Sequence, residues 1–254
     1  MEYVIAIIGG LIGGFMNTVA SSGTAVTLPL LVFMGLPPAV ANATNRVPVF
    51  LGFLISCITF IRAGVMNWQL ALRVVTPCAA GAVIGAIIVD RIPAEIVKTL
   101  IVVAVVIALL LLLTNFKKAF ETTIDKLPRY RWQEAVYLFF VGLWIGLIVL
   151  DGGTYLLMVL MLSMQLPLLK ANAYKNIACL FTSGFSLVVM AIDGKVNWEI
   201  GGIMAIGSIL GGYIGAKFSM HPLAKIWTYR LLVVIISLEL VHIAIIDWLR
   251  IGFS

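Results

Sequence analysis

The sequence predicts an all-α, polytopic integral membrane protein of two inverted-topology repeats. Each repeat is expected to hold a short broken or re-entrant helix hairpin plus three spanning helices. Three observations carry that expectation. Hydrophobic residues fill 62% of the 254 positions and charged residues only 11%, against about 45–50% and about 25% in soluble domains. Apolar stretches recur along the whole chain at lengths near the roughly 20 residues that a hydrocarbon core about 30 Å thick requires. Finally, the chain matches itself at an offset of 130 residues.

That offset pairs Gly23-Thr24 with Gly153-Thr154, Leu36-Pro37 with Leu166-Pro167, Ala41-Asn42-Ala43 with Ala171-Asn172-Ala173, and Asn67-Trp68 with Asn197-Trp198. From Gly23 to Ala86, 17 of 64 aligned positions are identical, where so skewed a composition gives about one in ten by chance. The identities cluster at Gly, Pro, Asn and Trp, which punctuate structure. The expected units are an N-terminal repeat (1–115), a cytoplasmic connector (116–131) and an inverted C-terminal repeat (132–254).

Taken in order, each half begins with an apolar leg (Tyr3–Ala20; Gln133–Leu150) and a short one (Thr24–Met34; Thr154–Leu162). The short legs cover about 14–17 Å, half a bilayer, so each pair is expected to turn as a hairpin at Ser21-Ser22-Gly23 or Asp151-Gly152-Gly153. Full spans follow at Pro38–Ile61, Trp68–Val89 and Ala94–Thr114, then at Pro167–Ile192, Trp198–Phe218 and Leu223–Trp248. Hairpin or two spanning legs, each half makes an odd number of crossings, so homologous halves must lie inverted. The first leg lacks a basic n-region and begins with Glu2, so it is expected to be mature structure rather than a signal peptide. The run 100–113, "LIVVAVVIALLLLL", can serve lipid or a second copy in a homodimer.

Charge sets the orientation. Lys117, Lys118, Lys126, Arg129 and Arg131 crowd the connector against Glu121 and Asp125, which places it in the cytoplasm and both termini outside. The net charge of +6 lies mainly in loops and reports orientation, not nucleic-acid binding. The expected location is the cell (plasma) membrane, the inner one in a Gram-negative bacterium.

Two cations break the apolar pattern at mid-depth. Arg46 lies about 13 Å into its span and Lys175 about 12 Å into its own, from the opposite face. Charge at the centre of a spanning helix costs about 2.5–3.5 kcal/mol, which makes each a candidate functional residue. Asp151 is the one carboxylate at similar depth, and it can pair a cation, cap the short helix or take up a proton for coupling. One positive charge remains over, and a bound anion balances it. "SSGT" and "DGGT" each open a short helix whose first N–H groups lack partners. Ser22, Gly23 and Thr24, with Gly152, Gly153 and Thr154, are therefore candidate anion contacts, and Ser21 adds a hydroxyl. Asn42, Thr44 and Asn45 around Arg46, and Asn172 and Asn176 around Lys175, supply further donors or brace the broken backbone. The bland alternatives are close packing at the glycines and a Lys175 that snorkels to an interface.

Other chemistry finds little support. His221 and His242 stand apart from any metal-spaced cluster, no Ser-His-Asp grouping is discernible, and no P-loop ending follows "GFMNTVASSGT". No cofactor is implied, and an enzyme is not expected. Cys57, Cys78 and Cys179 read as small core residues. Gly207, Gly211 and Gly215, with Pro77, Gly81 and Gly85, read as packing stripes, and Asn67-Trp68 and Asn197-Trp198 as span starts.

The glycine turn, the short helix with "LPLL", the "GLPP" step and "ANATN", echoed by "DGGTYLLMVLML" and "ANAYKN", resemble the TauE/SafE family of membrane permeases, sulfite or organosulfonate exporters. That resemblance implies export of a small sulfur-containing oxyanion, and the inverted repeats with their mid-depth cations point to alternating access through a midplane site. A carrier of another small organic anion such as a carboxylate, an anion channel, and a membrane scaffold are the alternatives the residues leave open.

Overall fold

The computed structural model describes residues 2–88, 129–147, 152–234 and 237, and every regular element among them is helical. The helices are α1 (Glu2–Ala20), α2 (Thr24–Phe33), α3 (Pro38–Arg62), α4 (Trp68–Ile88), α5 (Trp132–Leu147), α6 (Gly152–Met158), α7 (Leu168–Ile192) and α8 (Trp198–Ser219). A π-helical turn, Val159–Ser163, extends α6, and residues 224–234 are also helical. The expected span Ala94–Thr114, most of the connector, Asp151 and the end of the span Leu223–Trp248 lie outside the described residues.

Among the described residues five helices, α1, α3, α4, α7 and α8, are long and apolar enough to cross a membrane. The first hairpin is therefore unequal. α1 has 19 residues, about 28 Å of helix, whereas the 10 residues of α2 make about 15 Å. Large apolar side chains such as Ile8, Phe140, Val188 and Ile214 are exposed along the helix flanks, as a lipid-facing surface requires.

Proline and glycine set the boundaries. α3 and α7 start directly after Pro37 and Pro167, where a missing N–H costs nothing. α2, α3 and α7 end at Gly35, Gly64 and Gly194, which take φ of +90°, +68° and +66°. At the latter two, Val65 N–H reaches back to Phe60 O (3.2 Å) and Lys195 N–H to Met190 O (3.3 Å), the six-to-one bond of a Schellman cap. Gln165, 130 residues after Gly35, also takes a positive φ, of 57°.

Packing exchanges helices between the halves. α1 lies along α8 and α4 along α5, so the first helix of each half packs on the fourth of the other. Both pairs meet backbone to backbone. A Cβ at Gly14 would strike the Ser208 carbonyl, and one at Gly142 the Cys78 carbonyl. Ser208 and Cys78 are themselves 130 residues apart. Gly207, Gly211 and Gly81 meet partner-helix carbonyls in the same way, as the small-residue stripes predict. A second equivalence lies at the helix starts. Thr44 Oγ1 accepts from Asn197 N (3.0 Å) and Tyr174 OH accepts from Asn67 N (3.0 Å). Both pairs obey the offset, and they tie α3 to the start of α8 and α7 to the start of α4.

α3 and α7 cross in the middle of the bundle. The main core around them draws Phe53 and Cys57 from α3, Val74 from α4, Leu138 from α5, Leu156 from α6 and Ile177 from α7. All three cysteines are buried and free.

Candidate functional site

The site begins where α1 stops. Ser21 adopts φ of 63°, a left-handed conformation that costs a side-chain-bearing residue about 1–2 kcal/mol, and the chain reverses into α2. The turn is held locally. Asn17 Oδ1 accepts from Gly23 N (2.9 Å), and Thr27 Oγ1 donates to Gly23 O (3.2 Å). Gly23 lies against the Gly13 carbonyl, so a side chain there would push the hairpin apart. Across from it, Gly153 at the start of α6 rests on Ser21, where a Cβ would meet the Ser21 side chain. The two glycine turns thus touch in the middle of the protein.

Between them lies a cavity of about 30 Å³, room for about two waters. Arg46 of α3 projects into it, with Ser21, Thr24 and Asn17 from the first turn and Gly153 from the second. Val49 and Phe53 follow Arg46 along α3, Cys179, Thr182 and Ser183 come from α7, and Ile145 from α5. The two walls differ chemically, because Val49 and Phe53 correspond at the offset to Cys179 and Ser183. One wall is apolar and the other polar.

Arg46 decides the electrostatics. Its relative exposure is 3%, its Nε has no partner, and no carboxylate or carbonyl meets its guanidinium among the described residues. A buried cation without a partner is strongly unfavourable. The hydroxyls of Ser21, Ser22 and Thr154 are likewise buried and unpartnered.

Lys175 is placed differently. It is fully buried, but its ammonium donates to the backbone carbonyls of Asn17 (3.1 Å) and Thr18 (2.8 Å). Asn176 Nδ2 joins it on Thr18 O (3.2 Å), and Asn172 Nδ2 on Val19 O (3.3 Å). These three side chains satisfy the last carbonyls of α1, groups that a helix end leaves orphaned and that carry the negative end of its dipole. Asn176 Oδ1 also accepts from Ser56 Oγ (2.9 Å), which ties α7 to α3.

Of the expected site residues, Arg46, Thr24 and Gly153 line the cavity, and Gly23, Ser22 and Thr154 are buried in the turns that frame it. Gly152 packs against Ile145. Asn45 is buried with Oδ1 unpartnered, Asn42 is half-buried outside the lining, and Thr44 caps towards α8. Cys179, Thr182 and Ser183 were missed; their spacing four, seven and eight residues after Lys175, the period of one helix face, is the signal that could have found them. Asn17 and Phe53 gave no signal beyond being a polar and an aromatic residue in apolar spans. No group of three His, Cys, Asp or Glu able to hold a metal occurs among the described residues.

Comparison with known proteins agrees with this architecture. The model of the sulfite exporter TauE/SafE family matches residues 6–241. Similar curated proteins include a probable membrane transporter protein, ORF9, of Sinorhizobium sp., 25% identical over 92% of this chain and 89% of its own length. Another, from Haemophilus influenzae, is 26% identical over 83% of this chain and 82% of its own. The probable membrane transporter protein YunE of Bacillus subtilis is 22% identical over 95% and 98%. No solved structure matches. With a family match across nearly its whole length and relatives named as transporters rather than enzymes, this multi-pass chain is a membrane transporter and belongs to the TauE/SafE sulfite exporter family.

Proposed function

We propose that the protein exports a small sulfur-containing oxyanion, sulfite or a short organosulfonate, across the cell membrane by alternating access. The observation that supports this most is Arg46, a buried guanidinium without a partner among the described residues, facing a cavity where two glycine turns meet. The anion would sit on Arg46 and receive hydroxyl donors from Thr24 and Ser21, both of which line the cavity. The apolar wall of Val49, Phe53 and Ile145 suits a short organic tail, which favours a sulfonate over bare sulfite and keeps a carboxylate as the second reading.

Both halves are inferred to lie inverted, so that one turn reaches the midplane from each side. A cavity of about 30 Å³ is too tight for the anion with its hydration shell, so loading requires the turns to separate. An inside-negative potential assists export of a monoanion by about 2.3 kcal/mol per 100 mV. A proton-coupled cycle would run through Asp151, and sulfite flux insensitive to a proton gradient excludes it.

The test is flux in proteoliposomes that compare sulfite, sulfate, a short sulfonate and acetate. The reading expects sulfite or the sulfonate to move fastest; flux of acetate alone contradicts the substrate class. Discrete single-channel currents contradict alternating access.

A further inference from the structure

A second cavity, of about 560 Å³, lies where the α3–α4 turn meets the start of α7, and its walls include Arg73, Lys170, Tyr130, Tyr174, Asn67 and Gln69. Arg73 and Lys170 are exposed, and neither forms an ion pair among the described residues. Among the described residues no carboxylate lines the basin. Arg73 is held in place: its guanidinium lies over the Tyr130 ring, 5.8 Å from the centroid, and the Tyr130 hydroxyl donates to its carbonyl (2.9 Å). Two unpaired cations, amide donors and two phenols make an open concavity fit for a hydrated oxyanion.

The repeat supplies the control. At the offset, Arg73 and Lys170 correspond to Ile203 and Val40, although the scaffold bonds Tyr174–Asn67 and Thr44–Asn197 are alike. The corresponding end carries Lys195 already paired with Asp193 (3.1 Å), and Glu199 bonded by the Tyr3 hydroxyl (2.7 Å). Only one end of the shared scaffold is therefore cationic and unpaired among the described residues. Along α7, Lys170 and Tyr174 in the basin precede Cys179 and Thr182 in the central cavity, about 8–18 Å apart by helical rise.

We propose that this basin is an outer capture site for the transported oxyanion, on the face that carries Tyr130, and that it sets which face loads. The inference rests on the central anion site above. By concentrating anions electrostatically it lowers the KM on that face without contributing to the transport step.

Sulfite uptake into proteoliposomes of fixed orientation, with and without phosphatidylglycerol, tests it. Arg73→Gln and Lys170→Gln should each raise KM for sulfite supplied on the Tyr130 face by about 3–10-fold, leave the maximal rate within about 2-fold, and flatten the dependence on ionic strength. Arg73→Lys should restore both, which separates charge from any loss of folding. KM on the other face should not change. An unaltered KM and salt dependence, with Arg46→Gln inactive, overturns the capture site and leaves the central one standing. An effect confined to phosphatidylglycerol vesicles assigns the basin to a lipid phosphate and overturns it too. Undiminished transport by Arg46→Gln removes the reading on which the capture site rests.

Discussion

The Lys175 ammonium of α7 lies 2.8 Å from the carbonyl oxygen of Thr18 at the end of α1. A cation at this point holds a broken helix in place rather than facing the cavity. Its bond to Asn17 O and the neighbouring amides of Asn172 and Asn176 make the α1 terminus a fixed wall. Arg46 is left as the cation available to an anion.

Lys175→Met should therefore act on stability. Removing two charge-assisted bonds to buried carbonyls is expected to cost about 2–4 kcal/mol, read as a lowered melting temperature of the purified protein. Any stabilisation by sulfite should persist in the variant, because Arg46 is untouched.

The contact between Gly153 and Ser21 makes a paired prediction. Gly153→Ala drives a methyl into the Ser21 side chain and should weaken sulfite binding by about 10-fold or more, about 1.4 kcal/mol. Adding Ser21→Gly removes the colliding atoms and should recover part of that affinity in a direct binding assay, short of wild type by the contribution of the lost hydroxyl donor.

Ser21→Gly alone should stabilise. Its φ of 63° is strained for serine and free for glycine, so a gain of about 1 kcal/mol and a melting temperature about 2–4 °C higher are expected. A lower one would mean that the hydroxyl makes a contact that outweighs the strain.

The matched bonds Tyr174–Asn67 and Thr44–Asn197 should respond alike. Tyr174→Phe and Thr44→Val each leave one amide at a helix start without its acceptor, at about 1 kcal/mol. Hydrogen exchange should speed at Asn67 in the first variant and at Asn197 in the second, with each leaving the other amide unchanged.

Much of the fold was legible because the membrane restricts the alternatives to helices, and because Gly, Pro and Asn-Trp mark boundaries at a constant offset. Gly207 and Gly211 could be read as packing residues since a small residue in an apolar span has few other uses. α1 was harder: the leg Tyr3–Ala20 followed by a short one fits either a symmetric hairpin or a full span with a return, and the helix observed, packed along α8, is long enough for the second. Arg46 and Lys175 both read in sequence as mid-depth cations among asparagines, with Arg46 the principal anion-binding charge and Lys175 its helper. Their difference depends on where α1 ends in space, a tertiary fact that spacing does not encode. Asn17 and Phe53 reach the cavity for the same kind of reason.

The central claim is that Arg46 binds the transported anion. The most direct measurement is the thermal stabilisation of purified protein by sulfite, in wild type and in Arg46→Gln. The account predicts a concentration-dependent rise in melting temperature for wild type, as a ligand that binds only the folded state must give, and no rise for a variant that still folds. An equal rise in both proteins would contradict it.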